Sequence, residues 1–281
     1  MSEKMPFVTL PGGDKMPAYG HGTWHMGENR RYADEEEASL RLGIELGVTL
    51  IDTAEMYGNG VAEEITARAV GSNRDGLFIV SKVLPYNASR DGTIAACEQS
   101  LRRLKTDRID LYLLHWRGSH PFEETLAAFD KLQRDGKIRH HGVSNFGLDD
   151  MKEWAGLAGG KTVASNQILY NLTRRGPEYD LVPWCRERGI PIMAYSPIEQ
   201  GRMLSHKGLV EVARQRGATP AQIALAWLLR EEGMIVIPKA RQEAHLRENL
   251  GALGLTLSDT DLAALDRVFP PPTRRAPLGM L

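Results

Sequence analysis

Ile109-Asp110-Leu111-Tyr112-Leu113-Leu114-His115 is a short apolar run that ends on a polar side chain. Its length suits a strand buried on both faces better than a helix. On either side the apolar spacing turns helical, over residues 93–104 before it and 122–134 after it. A strand fenced by helices reaches its neighbours through right-handed crossovers, so its pairing is parallel. The same alternation runs in both directions. Val48-Thr49-Leu50-Ile51 follows a helical stretch at residues 34–47, and Leu77-Phe78-Ile79-Val80 comes next. Beyond lie apolar runs at residues 138–143, 163–169, 191–194 and 234–237, with helical segments at 149–157 and 221–230. Residues 18–23 complete a set of eight strands. Eight such units close a (β/α)8 TIM barrel, an α/β fold of about 250 residues. The 281 residues are therefore expected to form one barrel domain, 1–281.

The small surplus sits at the ends. Phe7-Val8-Thr9-Leu10 and Met16-Pro17-Ala18 flank Pro11-Gly12-Gly13-Asp14, the composition of an N-terminal β-hairpin expected to plug the barrel bottom. After the last strand, residues 258–267 form a capped C-terminal extra helix, followed by a proline-rich tail at residues 269–281. Asp34 is expected to cap the first helix, and Thr219-Pro220 to start another. Gly136 and Gly189 are expected to end helices.

The bulk composition excludes several classes of function. A net charge of -1, from 35 basic and 36 acidic side chains, offers no surplus for nucleic acid. Two cysteines, Cys97 and Cys185, lie outside any Cys-x-x-Cys pair. They exclude a disulfide framework and a cysteine zinc site, and they suit a reducing cytoplasm. Residues 1–6 lack the apolar core of a signal peptide, and no stretch has the roughly 18 apolar residues of a membrane span. A cytoplasmic monomer without nucleic-acid or membrane partners is the expectation.

In a barrel the chemistry sits at the carboxyl ends of the strands. There the chain carries Asp52, Lys82, His115, Ser144-Asn145, Asn166-Gln167, Tyr195-Ser196 and Pro238-Lys239, in strand order from the second. Tyr57 lies in the loop after Asp52. Each has a plain alternative: Asp52 as a helix cap, Lys82 as a solvated charge, Tyr57 as a lid on Gly58-Asn59-Gly60, His115 as a core histidine. The barrel, however, brings Asp52, Tyr57, Lys82 and His115 to one mouth. A phenol with a pKa of about 10 gives up its proton poorly. An ammonium beside it stabilises the phenolate and lowers that pKa, and a carboxylate holds the ammonium. A neutral imidazole can orient a carbonyl oxygen. The set is suited to protonating a carbonyl oxygen beside a hydride donor.

The motifs around these residues resemble those of the aldo-keto reductase family along essentially the whole chain. Asp52-Thr53-Ala54-Glu55-Met56-Tyr57-Gly58 is similar to the family signature. Ser81-Lys82-Val83, Leu113-Leu114-His115-Trp116, Gly142-Val143-Ser144-Asn145-Phe146, Ala194-Tyr195-Ser196-Pro197 and Ile237-Pro238-Lys239 follow in the family's order. Within the family the chain is most similar to a small bacterial branch that includes methylglyoxal reductases.

The resemblance implies NADPH-dependent reduction of small aldehydes or ketones, including 2-oxoaldehydes, with Tyr57 as the general acid. It implies Lys82 as the partner that tunes Tyr57, Asp52 as the partner of Lys82, and His115 as the group that orients the carbonyl. Ser144, Asn145 and Gln167 match the positions that hold the nicotinamide carboxamide, and Tyr195 matches the ring stacked on the nicotinamide. Gly22, Thr23 and Trp24 match the loop after the first strand, with Thr23 near the cofactor. Trp24 and Trp116 line the substrate pocket beside Tyr57 and His115. Ser196, Pro197, Ile198, Gln200 and Gly201 match the loop over the pyrophosphate. Lys239, Ala240, Arg241, His245, Glu248 and Asn249 fall in the adenosine-phosphate segment. Here the chain departs from the family, which often has serine where Ala240 stands and arginine where His245 stands. Arg241 is expected to make up part of the missing charge by reaching the 2′-phosphate.

Gly20-His21-Gly22 begins like a dinucleotide fingerprint but lacks the third glycine and a following helix, so close backbone packing is the better reading. Two other functions compete. A metal-dependent hydrolase needs converging ligands, and His21, His25 and the His140-His141 pair do not supply them in sequence. No metal is expected. A cofactor-binding redox sensor with the same fold but little turnover is the second alternative. The short loop after His115 and the short tail predict low walls and an open pocket.

Overall fold

The computed structural model describes residues 5–281, and residues 1–4 lie outside the described residues. A hairpin of β1 (Phe7–Thr9) and β2 (Lys15–Pro17) precedes eight parallel strands. These are β3 (Gly20–Gly22), β4 (Leu50–Asp52), β5 (Phe78–Val83), β6 (Ile109–Leu114), β7 (Ile138–Ser144), β8 (Asn166–Leu169), β9 (Ile192–Tyr195) and β10 (Met234–Val236). Each strand pairs with its sequence neighbour. The seam between β10 and β3 closes through Val236 N–H to Ala18 O at 2.9 Å and Gly22 N–H to Pro238 O at 3.2 Å. At that seam a Cβ on Gly22 would lie 2.6 Å from the Ile237 carbonyl oxygen. Glycine is there because two backbones touch.

The outer layer holds α1 (Ala33–Glu45), α2 (Val61–Val70), α3 (Arg90–Leu104), α4 (Phe122–Arg134) and α5 (Leu148–Gly156). It continues with α6 (Leu181–Glu187), α7 (Lys207–Gln215), α8 (Pro220–Leu229), α9 (Glu243–Leu250) and the extra helix α10 (Asp259–Val268).

Strand periodicity sorts the core into two clusters. Leu111 and Leu113 of β6, with Phe78 and Val80 of β5, join residues of the strands, their flanking segments and the hairpin, the barrel interior, with Leu229 of α8 packed against them. Tyr112, Leu114, Ile79 and Val83 join the helices outside. Val8, Leu10 and Met16 from the hairpin enter the interior cluster beside Leu50 and Phe78, which begin their strands. The hairpin therefore plugs the bottom. The same alternation aims Asp52, Lys82 and His115 inward, two residues on from Leu50, Val80 and Leu113.

Thr219 caps α8 with a reciprocal Gln222 bond, and Gly136 and Gly189 take left-handed conformations where helices end. Asp34 does not cap α1. A 3-10 turn at Arg30–Tyr32 runs directly into the helix, its carbonyls take the first amide protons, and Asp34 lies within the first turn. The helices α2, α6, α7 and α9 were not singled out from sequence. Among the described residues, no helix is long and apolar enough to cross a membrane.

Buried histidines, His21 and His141 among them, make stability depend on pH. Burial pulls His21 and His141 down to about 4, with Ala240 opposing at His21 and His140 adding at His141. Below pH 6.5 the unfolded chain binds protons that the fold refuses, so stability is full above that value and falls toward pH 4. Each histidine contributes a slope of about 1.4 kcal/mol per pH unit. Denaturant midpoints should start to fall near pH 6.5, above the carboxylate range, and a flat profile down to pH 5 would contradict this.

Candidate active site

The interior-facing ends of β4 and β5 put Asp52 and Lys82 side by side, 2 % and 0 % exposed. Lys82 Nζ donates to both Asp52 carboxylate oxygens at 2.9 Å, to the Thr53 carbonyl at 2.8 Å and to the Tyr57 hydroxyl at 3.1 Å. Three further donors hold Asp52. Gln167 Nε2 reaches its carboxylate at 2.7 Å, and the Thr23 amide and hydroxyl both reach its carbonyl at 3.0 Å. Tyr57 opens a turn in which Gly58, Asn59 and Gly60 all have positive φ. The turn carries the ring back over Lys82, whose Nζ is 4.7 Å from the ring centroid. His115 meets the edge of the same ring at 5.9 Å between centroids. The four residues therefore form one cluster.

Their electrostatics depart from expectation in one respect. Burial, reinforced by the Asp52 carboxylate and Tyr195, holds the Tyr57 phenol well above its ordinary pKa rather than below it. Lys82 does not reverse this, because its charge is already matched by Asp52 and the phenolate would be desolvated. Tyr57 thus keeps its proton, the state a donor needs. Burial also pulls Lys82 below its ordinary value, with Asp52 opposing. Burial, followed by the Lys82 charge, keeps His115 well below its ordinary value and hence neutral.

A cavity of about 500 Å³ opens over this cluster and runs across the barrel mouth. Trp24, Tyr57, His115 and Trp116 line it. Asp52, Ser144, Asn145, Gln167 and Tyr195 line it as well. The hydroxyl of Tyr195 donates to Asn145 Oδ1 at 2.9 Å, and Asn145 Nδ2 donates to the His115 carbonyl at 3.1 Å. Ser196, Pro197, Ile198, Gln200 and Gly201 form the next wall. Glu199 clasps that loop through Asn171 at 2.9 Å, Arg174 at 2.8 Å and Arg202 at 2.9 Å. Gly22, Lys239, His245, Glu248 and Asn249 also face the cavity. An aromatic face, a row of amide and hydroxyl groups and an exposed lysine along one cleft match the chemistry of a dinucleotide.

Three expected cofactor residues stand elsewhere. Thr23 is buried beneath the cavity against Asp52. Ala240 is buried, and its carbonyl accepts from His21 Nε2 at 2.9 Å and from the Ser39 hydroxyl at 2.7 Å. Arg241 turns away toward α1, with Nε 3.1 Å from Glu35 and its guanidinium 3.8 Å from the Tyr32 ring centroid. A carboxylate and a π face together occupy the guanidinium. The low-wall expectation also changes. Met280 and Leu281 line the cavity, and Arg275 ties the tail down through Asp149 at 2.7 Å and Asp180 at 3.0 Å. His25, Met56, Leu204 and Ala221 line it too, although the sequence motifs assign none of them to the cleft. His25 and Met56 directly adjoin Trp24 and Tyr57, which was the available signal. Among the described residues, no three His, Cys, Asp or Glu side chains gather as a metal site.

Comparison with known proteins agrees with this arrangement. The chain is 48% identical to methylglyoxal reductase YeaE of Escherichia coli (strain K12), over 100% of both chains. It is 36% identical to glyoxal reductase of Bacillus subtilis (strain 168), over 92% of this chain and 91% of that one. Its fold superimposes on an aldo-keto reductase from Klebsiella pneumoniae in complex with NADPH with a TM-score of 0.96. That pair is 46% identical, covering 99% of this chain and 100% of the other. Residues 19–269 match the Aldo/keto reductase family, every strand of the barrel included. With the barrel, the buried cluster and the full-length likeness in agreement, this chain belongs to the aldo/keto reductase family.

Proposed function

We propose that this single barrel domain reduces small aldehydes and ketones, 2-oxoaldehydes such as methylglyoxal among them, to alcohols with NADPH. The observation that carries the reading is the Tyr57 hydroxyl held 3.1 Å from a fully buried Lys82 beneath a cleft that suits a dinucleotide. When bound, the reduced nicotinamide supplies a hydride. The chain's own residues do the rest. His115, neutral, orients the carbonyl oxygen, and Tyr57 protonates it. As the proton leaves, the Lys82 ammonium stabilises the phenolate, and Asp52 keeps that ammonium in place. Trp24 and Trp116 exclude water around the carbonyl. Tyr195 offers the nicotinamide a stacking face, and Ser144, Asn145 and Gln167 offer it hydrogen bonds. The reading of a sensor without turnover finds no support, since sensing needs no proton donor.

Lys239 is the cation on the cavity wall best placed for a 2′-phosphate, whereas Arg241 must first leave Glu35. Lys239→Ala should weaken NADPH binding about tenfold and leave NADH within about twofold. Reduced-nicotinamide oxidation against a panel of aldehydes, 2-oxoaldehydes, sugars and bulky ketones, with both cofactors, tests the whole reading. Small activated carbonyls with NADPH should be fastest. Turnover of none of them would overturn it.

A further inference from the structure

The Tyr57 turn is held from outside as well as by its own sequence. Gly58, Asn59 and Gly60 have φ of 55°, 54° and 90°, left-handed conformations that glycine, and asparagine before most other residues, adopts readily. On one side the loop after β3 abuts it, since a Cβ on Gly58 would lie 2.9 Å from the Met26 carbonyl. On the other side stands Arg103 of α3, whose Cδ and Nε would each lie 2.6 Å from a Cβ on Gly60. Arg103 Nε donates to Glu63 at 2.6 Å, and the other Glu63 oxygen accepts from the Ser81 hydroxyl at 2.6 Å. Glu63 is 0 % exposed and lies in the first turn of α2, which begins where the Tyr57 turn ends.

Ser81 immediately precedes Lys82 on β5, so the two side chains leave opposite faces of one strand. Lys82 points into the mouth and touches Tyr57, while Ser81 points out and touches Glu63. The chain thus closes a frame. One side is the Tyr57 turn, the second is the start of α2, the third is two residues of β5, and the Tyr57–Lys82 contact is the fourth. We propose that the Arg103–Glu63–Ser81 chain, buried at Glu63 and Ser81, is a positioning device that sets the Tyr57 hydroxyl over Lys82. It touches neither substrate nor cofactor, and it acts through where Tyr57 stands. The inference rests on Tyr57 as proton donor.

The ion pair between Arg74 and Asp110, at 2.6 Å, provides a matched control at the opposite end of the same part of the barrel, with Asp110 2 % exposed on its side chain. Arg103→Met removes the arginine of buried Glu63, and Arg74→Met removes the nearer arginine of buried Asp110, which keeps Arg139 at 3.6 Å, so both should lower the melting temperature. Only Arg103→Met should slow single-turnover reduction of methylglyoxal by preloaded NADPH, by about tenfold or more, because small displacements of a reacting group carry large rate penalties. NADPH dissociation constants should stay within about twofold in both, since neither residue lines the cleft. Arg103→Lys should recover most of the rate, and Ser81→Ala should lose several-fold. If Arg103→Met does not fold, Ser81→Ala and Arg103→Lys carry the comparison. Wild-type single-turnover rates in Arg103→Met or Ser81→Ala, or an equal slowing in Arg74→Met, would overturn the proposal. A fully active Tyr57→Phe would instead overturn the donor assignment beneath it.

Discussion

Tyr57→Phe should reduce carbonyl turnover about a thousandfold while NADPH binds within about twofold of wild type, since general acid catalysis contributes roughly 10²–10⁴. The substitution removes one oxygen and keeps the ring. The ring packs against His115 and under the Lys82 ammonium, and neither contact needs the hydroxyl. Lys82 retains Asp52 and Thr53 as partners, so no buried charge is stranded and the fold should persist. The loss should appear in kcat and in kcat/KM together. Tyr57 is buried, so no solvent group is as well placed to replace its hydroxyl. Near-full activity in this variant would mean that the proton comes from elsewhere.

Lys82→Met should have two large effects that can be separated. Catalysis should fall as severely as in Tyr57→Phe, because the phenolate then forms without an ammonium beside it. Stability should fall as well. Asp52, 2 % exposed, would keep the Gln167 amide and lose its cation. Breaking a buried pair from one side typically destabilises by about 3–5 kcal/mol, or roughly 10 °C in melting temperature for a chain of this size. Adding Asp52→Leu removes the stranded charge, so the double variant should regain much of the stability and none of the activity. Thermal melts of the two variants against wild type check this. A Lys82→Met protein as stable as wild type would contradict the account of a buried, charged pair.

The order of strands and the chemistry at their ends were legible because both follow from short-range rules. Period-two alternation through Leu111 and Leu113 points His115 inward, and the same count from Val80 selects Lys82. Boundaries moved where the local pattern was silent. The run at residues 163–169 yields a strand only from Asn166, and β5 continues past Val80 to Val83. Three features resisted for a common reason: they depend on contacts between distant segments. The tail at residues 269–281 has no periodicity, and its course to the mouth is set by Arg275 meeting Asp149 and Asp180. Arg241 has the right charge in the right motif, yet Tyr32 and Glu35 of another loop and helix decide where it points. The Tyr57 phenol is raised rather than lowered because burial, invisible along the chain, outweighs the neighbouring ammonium.

The proposed reduction places a hydride on the carbonyl carbon and a proton on the carbonyl oxygen within one site. Its most direct test is the fate of label from NADPH deuterated at the transferable position of the nicotinamide, with methylglyoxal as acceptor and the alcohol product read by mass spectrometry and NMR. One deuterium on the former carbonyl carbon, in amounts equal to the cofactor oxidised, is the predicted result. Cofactor oxidation without labelled alcohol, or alcohol that carries no deuterium at that carbon, would contradict the account.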